Sequence, residues 1–116
     1  QEADAELAVA EAEHRALLLD IEREVIEALA REEEAEHDLE VLDHGVLPAA
    51  TQSVTAIRNS YEANRASFLA LLDSARSLAE ARLDRIDAQA RRDAARADLA
   101  RALGDDGGPP AREELK

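Results

Sequence analysis

Apolar residues recur along the first half of the chain at steps of three and four. The run is Leu18, Ile21, Val25, Ala28/Leu29, Ala35, Leu39, Leu42, Val46, Ala50, Val54, Ile57 and Tyr61, broken only by the polar Glu32. This period puts them on one stripe of an α-helix. A second run, Phe68, Leu72, Ala75, Ala79, Leu83, Ile86, Ala90, Ala97 and Leu103, has the same period and shrinks toward its end, which lets another helix come close. The pattern predicts an all-α fold of long helices in coiled-coil style, which becomes a long antiparallel α-helical hairpin where the chain reverses; Tyr61 and Phe68 are seven apart, so the period alone does not fix a turn. No alternating segment suggests a strand of a β-barrel.

Two places could reverse the chain. In "HGVLPAA", Gly45 and Pro48 are strong helix breakers, and Pro48 both lacks an N–H and crowds the carbonyl of His44. The stripe nevertheless passes from Leu42 through Val46, Ala50 and Val54 in phase, as a helix bent at the proline would require. A turn near Gly45–Pro48 and a bend there both fit the local residues. The second place is Asn64, a residue that tolerates the left-handed conformation used to reverse a chain after a helix. Reversal at Asn64 divides the chain into an N-terminal helical extension (1–16), a long helix bent near Pro48 (17–63), a tip (64–67), a returning helix (68–103) and a disordered tail (104–116). Gly104 would cap the returning helix, and "DDGGPPAREELK" cannot continue it.

Composition narrows the class. The 116 residues include one Tyr, one Phe and no Trp, Met or Cys, so burial has to come from a narrow Leu/Ile/Val/Ala seam rather than a thick core. No cysteine means no disulfide or thiolate metal site. No apolar run is long enough to cross a bilayer as a helix, and no signal peptide opens the chain, so an exported protein would be represented by a mature or excised piece. The net charge of -13 argues against nucleic acid as a ligand, because phosphate backbones call for a basic surface.

The charge is unevenly spread: residues 1–45 hold 16 acids and three arginines, residues 46–103 seven acids and nine arginines. A reversal at Asn64 would bring Glu32, Glu33 and Glu36 level with Arg91, Arg92 and Arg96 and favour the antiparallel register. The first 20 or so residues would then have no partner within the chain. A lone two-helix hairpin would also leave half of each seam exposed, predicting self-association or marginal stability.

The span from about Leu17 to Gly104 resembles the second periplasmic helical hairpin of TolC-like outer-membrane efflux proteins, in particular the branch associated with heavy-metal resistance. The resemblance rests on "VLPAA", "YEANRASFLALLDSAR" and "LARALG". They stand in the order and spacing of that family's "LLPxA"-like element, its "YxxGxxSFLxLLDAxR" and its closing "LxxxLG". Asn64 replaces the family's glycine at the turn, and one hairpin is present instead of a tandem pair. The resemblance implies a fragment of an α-barrel, the wall of a trimeric exit duct in the periplasmic portion of an outer-membrane protein. The membrane would be reached only through a β-barrel not encoded here. It implies that Tyr61, Ala63, Asn64, Arg65 and Ser67 form a tip that docks on the hairpin of a periplasmic adaptor (membrane fusion) protein. Tyr61 and Asp73 would match positions whose polar links hold such a channel shut. Phe68, Leu69, Leu71 and Leu72 are expected in the seam. The coiled-coil hairpin of the adaptor itself, and a generic coiled-coil oligomerisation module, are the alternative readings.

Metal and catalytic chemistry find little support in the residues. His37, Glu40 and His44 share a helix face with Glu33 one turn earlier, an ordinary zinc-ligand set by type. His37 and His44 are, however, two turns and roughly 10 Å apart along a helix, too far for one ion, and His14 stands alone. No serine sits in a nucleophile elbow, no glycine-rich phosphate loop is present and no acid pair occupies a cleft. The expectation is a protein that is not an enzyme, with no cofactor and no metal site.

Overall fold

The computed structural model describes residues 1–104, so the expected disordered tail beyond Gly104 lies outside the described residues. The fold is an all-α helical hairpin: α1 spans Glu2–Val41, a π-helical turn Leu42–Val46, α2 Leu47–Glu62 and α3 Phe68–Ala102. Helix takes up 92% of the described residues, and no strand occurs among them. Ala, Leu, Glu and Arg, the commonest residues here, are also the strongest helix formers. Glu2 and Asp4 in the first turn of α1 suit the positive end of its dipole. Gly104 follows α3 with φ 82, its N–H donating to the Arg101 carbonyl at 3.0 Å.

The chain does not reverse at Gly45–Pro48. It winds a single wider turn, in which the Leu47 N–H donates to the carbonyl of Leu42, five residues back, and Pro48 then sits in the first turn of α2. Its ring and missing N–H fall where the hydrogen-bond ladder is already changing from five-residue to four-residue steps, so the proline interrupts no regular α-helical run. The wide turn also has a packing consequence. Buried or half-buried positions include Ala28 and Ala35 on α1 and Leu42 at the start of the π turn, seven apart, whereas the next members on α2 are Ala50 and Ile57. Leu42 to Ala50 is eight residues. One extra residue in a π turn absorbs that excess, so Leu47, Ala50, Val54 and Ile57 keep facing inward. Val46, expected in the stripe, is instead exposed, and Leu47 takes its place.

By its internal packing the described chain forms two units, residues 32–93 and residues 1–31 with 94–104. In the first, Ala35, Leu39, Val54, Ser74, Ala81 and Ala88 are buried. The α3 seam is therefore Ser74, Ala81 and Ala88, seven apart, with Leu71, Leu78 and the half-buried Arg85 and Arg92 between them. The expected α3 stripe is corrected here: Phe68, Leu72, Leu83 and Ile86 are exposed, as are Ala75, Ala79 and Ala90. Two apolar patterns share α3, and the one with the smaller side chains wins the interior because it admits the closest approach of two backbones. The Ser74 hydroxyl donates to the Leu71 carbonyl at 2.8 Å, so this buried polar group is satisfied within its own helix.

Ion pairs across the helices fix the register in this unit. Arg85 Nε donates to Asp43 Oδ1 at 2.5 Å, and Arg91 NH2 to Asp38 Oδ2 at 3.1 Å. Both pairs are solvent-exposed, where water and salt screen them, so they select the alignment more than they stabilise it. Arg91 thus meets Asp38 rather than Glu36 or its neighbours. Glu32 and Glu36 are also engaged in polar interactions. Arg92 Nε is buried without a hydrogen bond and lies 3.5 Å from Asp93 Oδ1.

In the other unit Ala28 and Ala95 are buried, Val25, Leu99 and Ala102 half-buried, and Arg31 NH2 donates to Asp98 Oδ2 at 3.3 Å. Arg101 also bonds Asp98. Leu103, counted in the expected stripe, is exposed, as is Ala97. Residues 1–24 are exposed throughout.

Two tests bear on this packing. Ala88→Leu, which forces an isobutyl group into a fully buried seam position, should destabilise by about 1–3 kcal/mol, whereas Leu83→Ala on the exposed side should change stability by about 0.5 kcal/mol or less; thermal unfolding by circular dichroism reads both. Excising His44 in a Pro48→Ala background should leave the melting temperature unchanged or raise it, because the extra residue is removed and the seam keeps its phase. Excising Glu34 from regular helix rotates everything beyond it by about 100° and should lower it sharply.

Candidate functional site: the hairpin tip

The reversal is built from a short set of backbone bonds. After α2 ends at Glu62, the Asn64 N–H donates to the Tyr61 carbonyl at 3.0 Å and the Arg65 N–H to the Ser60 carbonyl at 2.7 Å. This pair of bonds is the Schellman arrangement, which needs a left-handed residue just past the helix. Asn64 supplies it with φ 59, the only positive φ of a non-glycine among the described residues. Ala66 N–H also donates to the Ser60 carbonyl at 3.2 Å, so the Ser60 and Tyr61 carbonyls, two of the last free acceptors of the helix, are satisfied locally.

The return begins equally locally. Ser67 Oγ accepts the Ala70 N–H at 3.1 Å, the side-chain cap expected at the residue preceding a helix. Only Arg65 and Ala66 separate the left-handed residue from this cap. The Tyr61 and Phe68 rings lie across the gap with centroids 6.1 Å apart and planes tilted by 58°. Such a pair contributes about 0.5–1.5 kcal/mol beyond area burial. It braces the end of α2 against the start of α3.

The structure gathers Tyr61, Ala63, Asn64, Arg65 and Ser67 at this blunt end, and Ala63, Asn64 and Arg65 are exposed. The Arg65 guanidinium makes no hydrogen bond or ion pair among the described residues, leaving a free cation at the apex. Of the tip-flanking residues expected in the seam only Leu71 is there, half-buried. Phe68 is 62% exposed and Leu69 64%, because the helix turns them away from the seam alanines.

Tyr61 and Asp73 are not brought together: no bond joins them, and neither side chain makes a polar contact with another described residue. Tyr61 is 40% exposed. Asp73 borders a shallow groove along α2 and α3 with Ala49, Ser53, Ile57, Ala70 and Ser77. Both polar groups are free to bond outside the chain.

The histidines are separated. His37 opens onto a groove with Asp38, Asp84, Asp87 and Arg91, while His44 is exposed in the π turn and His14 lies in the first half of α1. Among the described residues no three His, Cys, Asp or Glu side chains are placed to hold one metal ion. Donating hydrogen bonds to the carboxylates of Asp38 and Asp87 holds the Arg91 guanidinium above its usual value, so its positive charge is fixed at every working pH.

The exposed row Phe68, Leu72, Leu83 and Ile86 was legible as an apolar stripe but not as an outward-facing one. The signal that separates the faces is the seven-residue spacing of Ser74, Ala81, Ala88 and Ala95. No protein-family model, curated protein or solved structure matches the chain.

Tip chemistry can be checked by denaturant unfolding. Asn64→Gly should be neutral or stabilising by up to about 1 kcal/mol, and Asn64→Val should destabilise by about 1–2 kcal/mol. Ser67→Ala should cost about 1 kcal/mol.

Proposed function

We propose that this chain is a periplasmic coiled-coil hairpin of an outer-membrane efflux channel of TolC-like type, from a heavy-metal resistance system. It would supply a section of the duct wall and the adaptor-docking tip of a tripartite complex. The sequence resemblance over Leu17–Gly104 motivates the reading. The observation that carries it is the second apolar stripe of α3. Phe68, Leu72, Leu83 and Ile86 run along the side of the helix away from its alanine seam and are 43–64% exposed. A helix with apolar rows on opposite sides calls for neighbours on both, the situation of a helix in the wall of a closed tube.

The tip suits a docking role for the same physical reasons that make it rigid. Backbone bonds, a serine cap and an aromatic brace order it without help, so presenting Arg65 and the exposed rings to a partner costs little conformational entropy. Tyr61 and Asp73, without a polar partner among the described residues, would bond to adjacent hairpins of a trimer and so help keep the duct shut. The duct is passive in this reading: no residue catalyses a step.

Mixing the chain with the helical hairpin of a periplasmic adaptor tests the proposal. Association should be measurable by surface plasmon resonance and lost with Arg65→Glu or Asn64→Pro. Leu83→Asp with Ile86→Asp should instead reduce self-association in sedimentation velocity and leave adaptor binding in place. Self-association with no tip-dependent adaptor binding would identify a generic oligomerisation module instead. In a full-length channel, Tyr61→Phe and Asp73→Ala should each raise conductance across a planar bilayer.

A further inference from the structure

The first half of α1 carries an interface that no described residue covers. Within its unit, α3 accompanies α1 only as far as the groove formed by Glu24, Glu27 and Arg31 with Asp98, Arg101 and Ala102. Before that groove the seam continues unpartnered. Leu7, Leu17, Leu18 and Ile21, with Ala10 and His14 between them, extend the row that holds Val25 and Ala28, and the four large residues are 36–59% exposed.

Charge says what fits there. Residues 1–24 hold eight acids and two arginines, and Arg23 is already bonded to Asp20 at 2.8 Å. By helical position Glu6, Glu13 and Glu24 border one side of the apolar row and Asp4, Glu11 and Glu22 the other. Charges flanking an apolar seam select the partner helix. A second copy of the same face would oppose acid to acid. The outer stripe of α3 is flanked by Arg76 and Arg82 but also by Asp87 and Asp93, so it offers no net complement. Residues 105–116 bring four acids against Arg112 and Lys116, the wrong sign again. The chain itself shows the pairing that works, since Arg85 and Arg91 of α3 are bonded to Asp43 and Asp38 of this same acid-rich half.

We propose that residues 3–24 of α1 form a docking face for an amphipathic helix of another protein whose apolar row is flanked by lysine or arginine. The proposal uses no residue of the tip and none of the exposed α3 stripe, the two surfaces that the efflux reading assigns to partners, so Leu18→Asp tests it without touching either.

Two synthetic helical peptides test it, identical in an Ala/Leu row and differing only in flanking Lys/Arg or flanking Glu. Binding to the full chain is followed by fluorescence anisotropy at low and high salt. The basic peptide should bind, weaken at high salt, and weaken roughly tenfold or more with Leu18→Asp, the loss expected when one buried leucine contact is removed. Leu83→Asp should leave it unchanged. Leu18 is exposed, so its substitution disturbs no packing, and circular dichroism verifies the fold. Equal binding of the two peptides, no binding of the basic one, or binding insensitive to Leu18→Asp would overturn the proposal. So would sedimentation showing that the chain alone associates through this face, with Leu18→Asp dispersing it.

Discussion

Close approach of two helix backbones is the constraint from which the rest of this structure follows. Among the described residues five of the seven buried apolar side chains are alanines, seven apart at Ala28 and Ala35 on α1 and at Ala81, Ala88 and Ala95 on α3. A methyl group contributes only about 0.8 kcal/mol on burial, so this seam is held by tight contact over many small residues and not by a few large ones. A large side chain in such a seam separates the helices and removes the contact of its neighbours as well. The chain therefore keeps its large apolar residues outside, and cross-helix pairs such as Asp43–Arg85 and Asp38–Arg91 settle which alanine meets which turn.

The same constraint explains the π-helical turn. A seven-residue pattern admits no extra residue without rotating everything beyond it, yet the stretch from Leu42 to Ala50 has one. Placing the surplus in a single wide turn, immediately before a proline that cannot donate to the preceding turn, localises two irregularities at one place. Both helices of unit 32–93 then stay in phase up to the reversal, where Asn64 and Ser67 end one helix and start the next with bonds drawn from their own neighbourhood.

What remains exposed gives the molecule its capacity to associate. Apolar rows lie outward on α3 from Phe68 onward and on α1 before Val25, and the tip offers the exposed Arg65, which has no polar partner among the described residues, and the Tyr61–Phe68 ring pair. These surfaces are chemically distinct: mixed in charge on α3, strongly acidic on α1, cationic at the apex. A wall segment of an efflux duct and a separate basic helical partner are the proposals that use them, and each engages a different surface.

Sequence alone determined the helical class, because helix-forming composition is a local preference; the local residues left the reversal open between Gly45–Pro48 and Asn64, and the tertiary structure places it at Asn64. The α1 stripe was legible for Ala28, Ala35, Leu39 and Val54, since one apolar row dominates there. On α3 two rows compete, and hydrophobicity favoured Phe68, Leu72, Leu83 and Ile86 over the alanines that are in fact enclosed. Likewise, the stripe through Val46 looked continuous although the helix widens there and turns Leu47 inward. Only the tertiary structure decided these points, because which face is buried depends on how near the facing helix comes, and that distance is a property of both helices together.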